Sequence, residues 1–183
     1  MKILVIGDAH GRVFHLVLLS ALCQKRRLET YDLIIQVGDM GVWPDTTKMD
    51  QATHKFSALD STELDFSHLV NLGKDEEAFL KKVSSHIKCP VRFIRGNHED
   101  QDWLRNRTDG VIDRLGVFKY IPDGTILESK GFTIGFLGGI TNPKSPADEI
   151  DEVSLKDFLS RSPGSIDLLV THLGPYVSPF RTS

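Results

Sequence analysis

Six polar residues of this chain stand just after short apolar runs, at spacings that could serve metal chemistry. Val5-Ile6-Gly7 leads to Asp8 and His10, and Gln36-Val37-Gly38 leads to Asp39. Ile94-Arg95-Gly96 leads to Asn97 and His98, and Leu169-Val170-Thr171 leads to His172. The set offers carboxylates, an amide oxygen and imidazoles. Two aspartates brought together away from water repel one another, and bound cations remove that cost. An oxygen and nitrogen shell without thiolate suits manganese, iron, zinc or cobalt and does not choose among them. Singly, each piece is ordinary. Gly-Asp after a strand is a common turn, a lone histidine is a hydrogen-bonded loop residue, and Asn97 is a turn former. The weight lies in four such pieces, each directly after an apolar run.

The elements that must position these residues alternate in type. "KILVI" reads as a buried β-branched strand, and "VFHLVLLSALCQKRR" as a helix with a wide apolar face. The basic end of that helix, Lys25-Arg26-Arg27, suits a C-terminus. "YDLIIQVGDMG" gives a second strand, "GKDEEAFLKKVSSHI" a helix, and "PVRFIRGNHED" a third strand followed by a short helix near Asp102 to Asn106. "TILESKGFTIGFLGGI" predicts a hairpin turning at Ser129-Lys130-Gly131. "SLKDFLSR" predicts a helix with Ser154 and Asp157 in capping-box spacing, and "IDLLVTHLGP" the last strand, running into a loop at Gly174-Pro175. This order implies an α/β fold with a largely parallel sheet and additional antiparallel strands. Ligands of open α/β sheets gather at the carboxyl ends of the strands, so the four tips are expected along one edge. Residues 45–72 are polar without clear periodicity. They are expected to form an insertion, either a functional loop or a mobile one.

A length of 183 residues predicts a single domain over 1–183. A formal net charge of −3 and a pI of about 6.1 exclude a global basic field for wrapping nucleic acid. Cys23 and Cys89 lack metal-ligand spacing and read as free buried thiols of a reducing compartment. The run Ile3 to Ile6 is too short for a signal-peptide core or a membrane span, so a cytoplasmic protein with no membrane partner is expected.

"GDAHG", the Gly-Asp at 38–39, "GNHED" and the Thr-His at 171–172, in this order, resemble the calcineurin-like metallophosphoesterase superfamily. The resemblance runs from residue 2 to about 176, outside the 45–72 insertion. It implies a β-sandwich of mixed sheets flanked by helices and a site holding two divalent metal ions, with manganese expected and iron, zinc or cobalt as alternatives. By the same resemblance, Asp8 and His10 match ligands of the first metal, Asp39 the carboxylate bridging both, and Asn97 and His172 ligands of the second. His98 matches the histidine that protonates the leaving oxygen or stabilises its charge. The implied chemistry is hydrolysis of a phosphomonoester or phosphodiester by a bridging hydroxide, with His98 as general acid.

The chain also departs from that pattern. The superfamily's protein phosphatases continue the second motif as Gly-Asp-x-Val-Asp-Arg-Gly, whereas "GDMGVWP" stands here. Val42 occupies the place of the aspartate that would orient His98, which leaves His98 without an identified partner. Trp43-Pro44 reads either as an apolar wall at the site mouth or, for Trp43, as a core anchor beneath the insertion. Arg12 and Arg95 read as phosphate contacts or as ion pairs. His15, His54, His68 and His86 read as ordinary helix or loop histidines. No Gly-His-x-His, the motif that closes the superfamily's site, occurs in this chain, so a form truncated at the C-terminus with an open sheet edge is expected.

The leading expectation is therefore a metal-dependent phosphoesterase. Its substrate would be a nucleotide, another small phosphoester or a nucleic-acid end. The alternatives are a non-catalytic scaffold or binding module of the same fold, and a nuclease whose 45–72 segment holds a strand.

Overall fold

The computed structural model describes residues 1–27, 30–107, 110, 112–141, 145–161, 164 and 166–174. The side chain of Arg27, Pro175 and the rest of the stretch to residue 183 lie outside the described residues. Strands β1 (Ile3–Ile6), β2 (Leu33–Gln36), β3 (Val91–Phe93) and β4 (Phe118–Tyr120) form one parallel sheet in sequence order. Strands β5 (Thr125–Ser129), β6 (Phe132–Leu137) and β7 (Leu168–Thr171) form a second sheet, with β5 antiparallel and β7 parallel to β6. The predicted hairpin turns at Lys130 and Gly131, both with positive φ. The short helix expected near Asp102 to Asn106 is α5 (Gln101–Arg105), whereas β4, a strand of three residues without a glycine-led tip, was not foreseen in the sequence.

Residue alternation assigns each face of the first sheet. On β2, Leu33 and Ile35 point to the second sheet, where they pack with Ile94, Ile134, Phe136 and Val170. Ile34 points the other way, with Val91, Phe93 and Phe118, onto the helices α1 (Val13–Arg27), α3 (Asp65–Val70) and α4 (Lys74–Ser84). The outer face of the second sheet receives α6 (Glu152–Arg161), whose buried Phe158 sits where a Cβ on Gly135 would stand. The layers therefore run helices, sheet, sheet, helix. α6 starts earlier than predicted, because Asp151 accepts from the Val153 and Ser154 backbone N–H groups at 3.2 Å and supplies the cap assigned to Ser154.

The 45–72 segment is not irregular. It forms a 3₁₀ turn at Thr46–Lys48, helix α2 (Gln51–Ser57), a second 3₁₀ turn at Ser61–Leu64, and α3. Asp45, Asp50 and Asp60 each cap one of these pieces by accepting from the N–H of Thr47, Thr53 and Thr62. Helices this short do not hold alone. Phe66 and Leu69 of α3 are fully buried, each worth about 1.5–3 kcal/mol of transfer from water, and they tie the segment to the core.

Cys23 and Cys89 are free, as expected, but only half-buried. Among the described residues no helix is long and apolar enough to cross a membrane.

Candidate functional site

The tips of β1, β2 and β3 are neighbours, and the backbone fastens them together. The Asp39 carbonyl accepts from the N–H groups of Ala9 and His10 at 2.9 Å, and the Met40 carbonyl accepts from Gly11 at 2.9 Å. Asp39 Oδ1 accepts from the N–H of Asn97 at 2.8 Å and of His98 at 3.0 Å. His10 and Asp39 hold φ of 44° and 52°, left-handed conformations that non-glycine residues adopt at a cost of about 1–3 kcal/mol. Gly96 explains its own place, since a Cβ there would overlap Asp39 Oδ1. A Cβ on Gly38 would likewise overlap the His172 ring.

His172 reaches the same point from the second sheet, which corrects the expectation of four tips along one edge. β7 pairs with β6, and the sandwich carries its tip across to Asp39. His172 Nε2 lies 3.4 Å from Asp39 Oδ1, and His10 Nε2 lies 3.9 Å from Asp39 Oδ2. His172 Nδ1 is 3.0 Å from the Val37 carbonyl, so Nδ1 donates to it and Nε2 is the ring atom turned to the carboxylate. Asp39 is buried and has an imidazole beside each oxygen. Ligand atoms of Asp8, His10 and Asp39 fall within 4.8 Å of one another, a spacing that could hold a metal ion.

His98 stands beside this group, with its ring edge-on to His10 at 5.3 Å between centroids. Its Nδ1 is 2.7 Å from Asp50 Oδ2, a partner supplied by the 45–72 segment. The hydrogen bond to Asp50, opposed by partial burial and helped by the charge of Asp39, raises the pKa of His98 to about 9. Asp50 is lowered to about 2: burial works to raise it, and the bonds from His98 and Thr53 outweigh that. The pair is thus imidazolium and carboxylate at neutral pH. Val42, at the place where the resembled motif carries an orienting aspartate, is fully buried, and its carbonyl accepts from the Asp100 N–H at 2.9 Å.

Two buried side chains that sequence reading did not single out brace the tips. Glu99 accepts from the Met40 N–H at 2.7 Å through one oxygen and from the Gly96 N–H at 3.0 Å through the other. Burial and the charge of Asp39 push its pKa up to about 8. Gln36 donates to the carbonyls of Gly7 and Gly38, joining the first two tips. Gln36 had a signal, a polar residue inside an apolar run. Glu99 had none, because an acid after Asn-His reads as a surface residue.

Neither candidate arginine is free for a phosphate. Arg95 is buried, donating to Asp123 at 2.7 Å and to the carbonyls of Ala147 and Glu149. Arg12 pairs with Asp60 at 2.9 Å and Glu63 at 3.2 Å. Trp43 is buried and also lines a cleft of about 360 Å³ beside Asn97 and Asp50, so both readings of it hold. Its indole N–H has no partner among the described residues.

A family model described as calcineurin-like phosphoesterase matches residues 1–182. No curated protein matches the chain.

Proposed function

The chain belongs to the calcineurin-like phosphoesterase family, and on that premise we propose that it hydrolyses small phosphomonoesters or phosphodiesters using divalent cations held by Asp8, His10, Asp39, Asn97 and His172. The donor set fits such cations. It is oxygen and nitrogen without thiolate, its central carboxylate has an imidazole beside each oxygen, and the Val37 contact leaves Nε2 of His172 free to ligate. Bound, the cations would neutralise phosphate oxygens and acidify a water, and manganese is the proposed metal.

The chain's own residues do the rest. Asp39 is immobilised by two backbone N–H bonds and holds its carboxylate between the histidines. Asp50 holds the Nδ1 proton of His98, which leaves the Nε2 proton for the oxygen of the departing group. The cleft beside His98 is lined by Asp50, Asp100, Asp102, Asp148 and Lys48. That lining repels a polyanion and favours a small leaving group over a nucleic-acid strand.

The observation that carries the proposal is the His98–Asp50 pair, closed at 2.7 Å and standing against the Asp39 group, an arrangement a scaffold does not need. The test is hydrolysis of p-nitrophenyl phosphate and bis-p-nitrophenyl phosphate by metal-stripped protein, with and without added manganese. Manganese-dependent turnover of at least one is expected. No turnover of either, together with no manganese binding by calorimetry, would leave the scaffold reading in place.

A further inference from the structure

Helix α1 is apolar on two sides. One side, with Val13, Leu16 and Val17, is buried against the sheet. The other carries Leu18, Leu19 and Leu22, which are 50%, 44% and 45% exposed, and beside them Phe79 of α4 is 62% exposed. A helix apolar all round is ordinarily enclosed, and a contiguous exposed patch of this kind marks a contact surface. α1 and α4 run side by side in the same direction, with two hollows of about 490 and 410 Å³ between them. Leu18 and Phe79 line both hollows and so mark the centre of the face.

The charges at its ends indicate what covers it. Asp75 and Glu76 flank one hollow, and Lys25 and Lys82 flank the other. Asp75, Lys25 and Lys82 make no ion pair among the described residues. Asp75 and Lys82 lie about 10 Å apart along α4, with Phe79 near the midpoint. A two-fold axis through Leu18 and Phe79 would stack two copies antiparallel. Lys82 of each copy would then lie over Asp75 of the other, while leucines and phenylalanines meet at the centre.

We propose that this α1–α4 face is the interface of a homodimer, closed by an antiparallel four-helix contact centred on Leu18 and Phe79. Sedimentation equilibrium of the whole chain at low salt should give twice the 20.5 kDa monomer mass. Phe79→Glu should give a folded monomer, and because Phe79 is mostly exposed its thermal melt should match that of wild type diluted below its dimer dissociation constant. Lys82→Glu should raise the dissociation constant about tenfold or more by setting like charges together, and adding Asp75→Lys should restore it. A wild-type monomer at all concentrations, which would leave the face to another occupant, overturns the proposal. So does a dimer indifferent to Phe79→Glu, or a double charge reversal that fails to recover association.

Discussion

The strand tips and the 45–72 segment build the site by different physics. At the tips, parallel pairing and short backbone bonds fasten Asp39 to the residues on either side. The strain at His10 and Asp39 is held by a ladder that runs through the whole sheet. The segment is a chain of short helices, each begun by an aspartate cap and anchored by a few apolar side chains such as Phe66 and Leu69. The tips supply the half rich in carboxylate and imidazole groups, and the segment supplies Asp50, which raises the pKa of His98. The difference suggests a division of labour. The rigid half fixes the geometry on which everything depends, and the attached half tunes one pKa.

If that division holds, damage to the tips should be absolute and damage to the segment graded. Asp39→Asn should have the largest effect. An amide keeps the acceptor for the Asn97 and His98 N–H groups but removes the charge between the two histidines. Turnover should fall below detection, and calorimetry should show manganese binding lost. Near-wild-type hydrolysis in Asp39→Asn would break the comparison at its base.

The tips were readable in the sequence because each is announced locally, by an apolar run and then a polar residue, with a glycine between them in the first three. The strand-end rule and the family resemblance brought them together, although His172 arrives from the second sheet. The positions of the glycines were informative for the same reason, since Gly38 and Gly96 sit where a side chain would strike His172 and Asp39. Asp50 was not readable as a site residue. In "MDQAT" it has the signature of a helix cap, and it does cap Thr53, but the same carboxylate also bonds His98 across 48 residues of sequence. Sequence spacing carries no trace of that second bond. The segment looked irregular because its helices are too short to show a period. The repeated Asp followed by Thr at two or three residues was the overlooked sign.

His98→Ala removes the proposed proton donor and leaves the Asp39 group untouched. Turnover should drop about 10²- to 10⁴-fold while manganese affinity stays within a few-fold of wild type. Loss of metal binding in this variant would mean that His98 ligates, and the two halves would no longer be separable.

Asp50→Asn should cost less than His98→Ala, about tenfold or so, with a change in pH profile that a purely structural role would not produce. Asparagine caps α2 as well as aspartate does, so the segment should stay folded. Without the carboxylate the pKa of His98 falls from about 9 toward its ordinary 6.5, and the alkaline limb of the turnover profile should move to lower pH with it. An unchanged limb would show that Asp50 only positions the ring.

The smallest expected effect lies in stability against pH, and it sets Glu99 at the tips against the His98–Asp50 pair. Glu99 holds its proton in the folded protein up to about pH 8, against an ordinary value of 4.5, because burial and the Asp39 charge outweigh its two backbone bonds. Its contribution to stability is therefore full below about pH 4.5 and is lost as pH rises through 8. That of His98 is full below about 6.5 and is lost as pH rises through 9. Asp50 acts at the other extreme, its contribution present above 3.8 and lost as pH falls through about 2. Thermal melts of metal-free protein should therefore decline steadily from about pH 5 to 9. In Glu99→Gln the decline should begin only near pH 6.5, where His98 starts to matter. Equal slopes for wild type and Glu99→Gln between pH 5 and 6.5 would show that the Met40 and Gly96 N–H groups, rather than burial, decide the state of Glu99. The brace across the tips would then be a charged one.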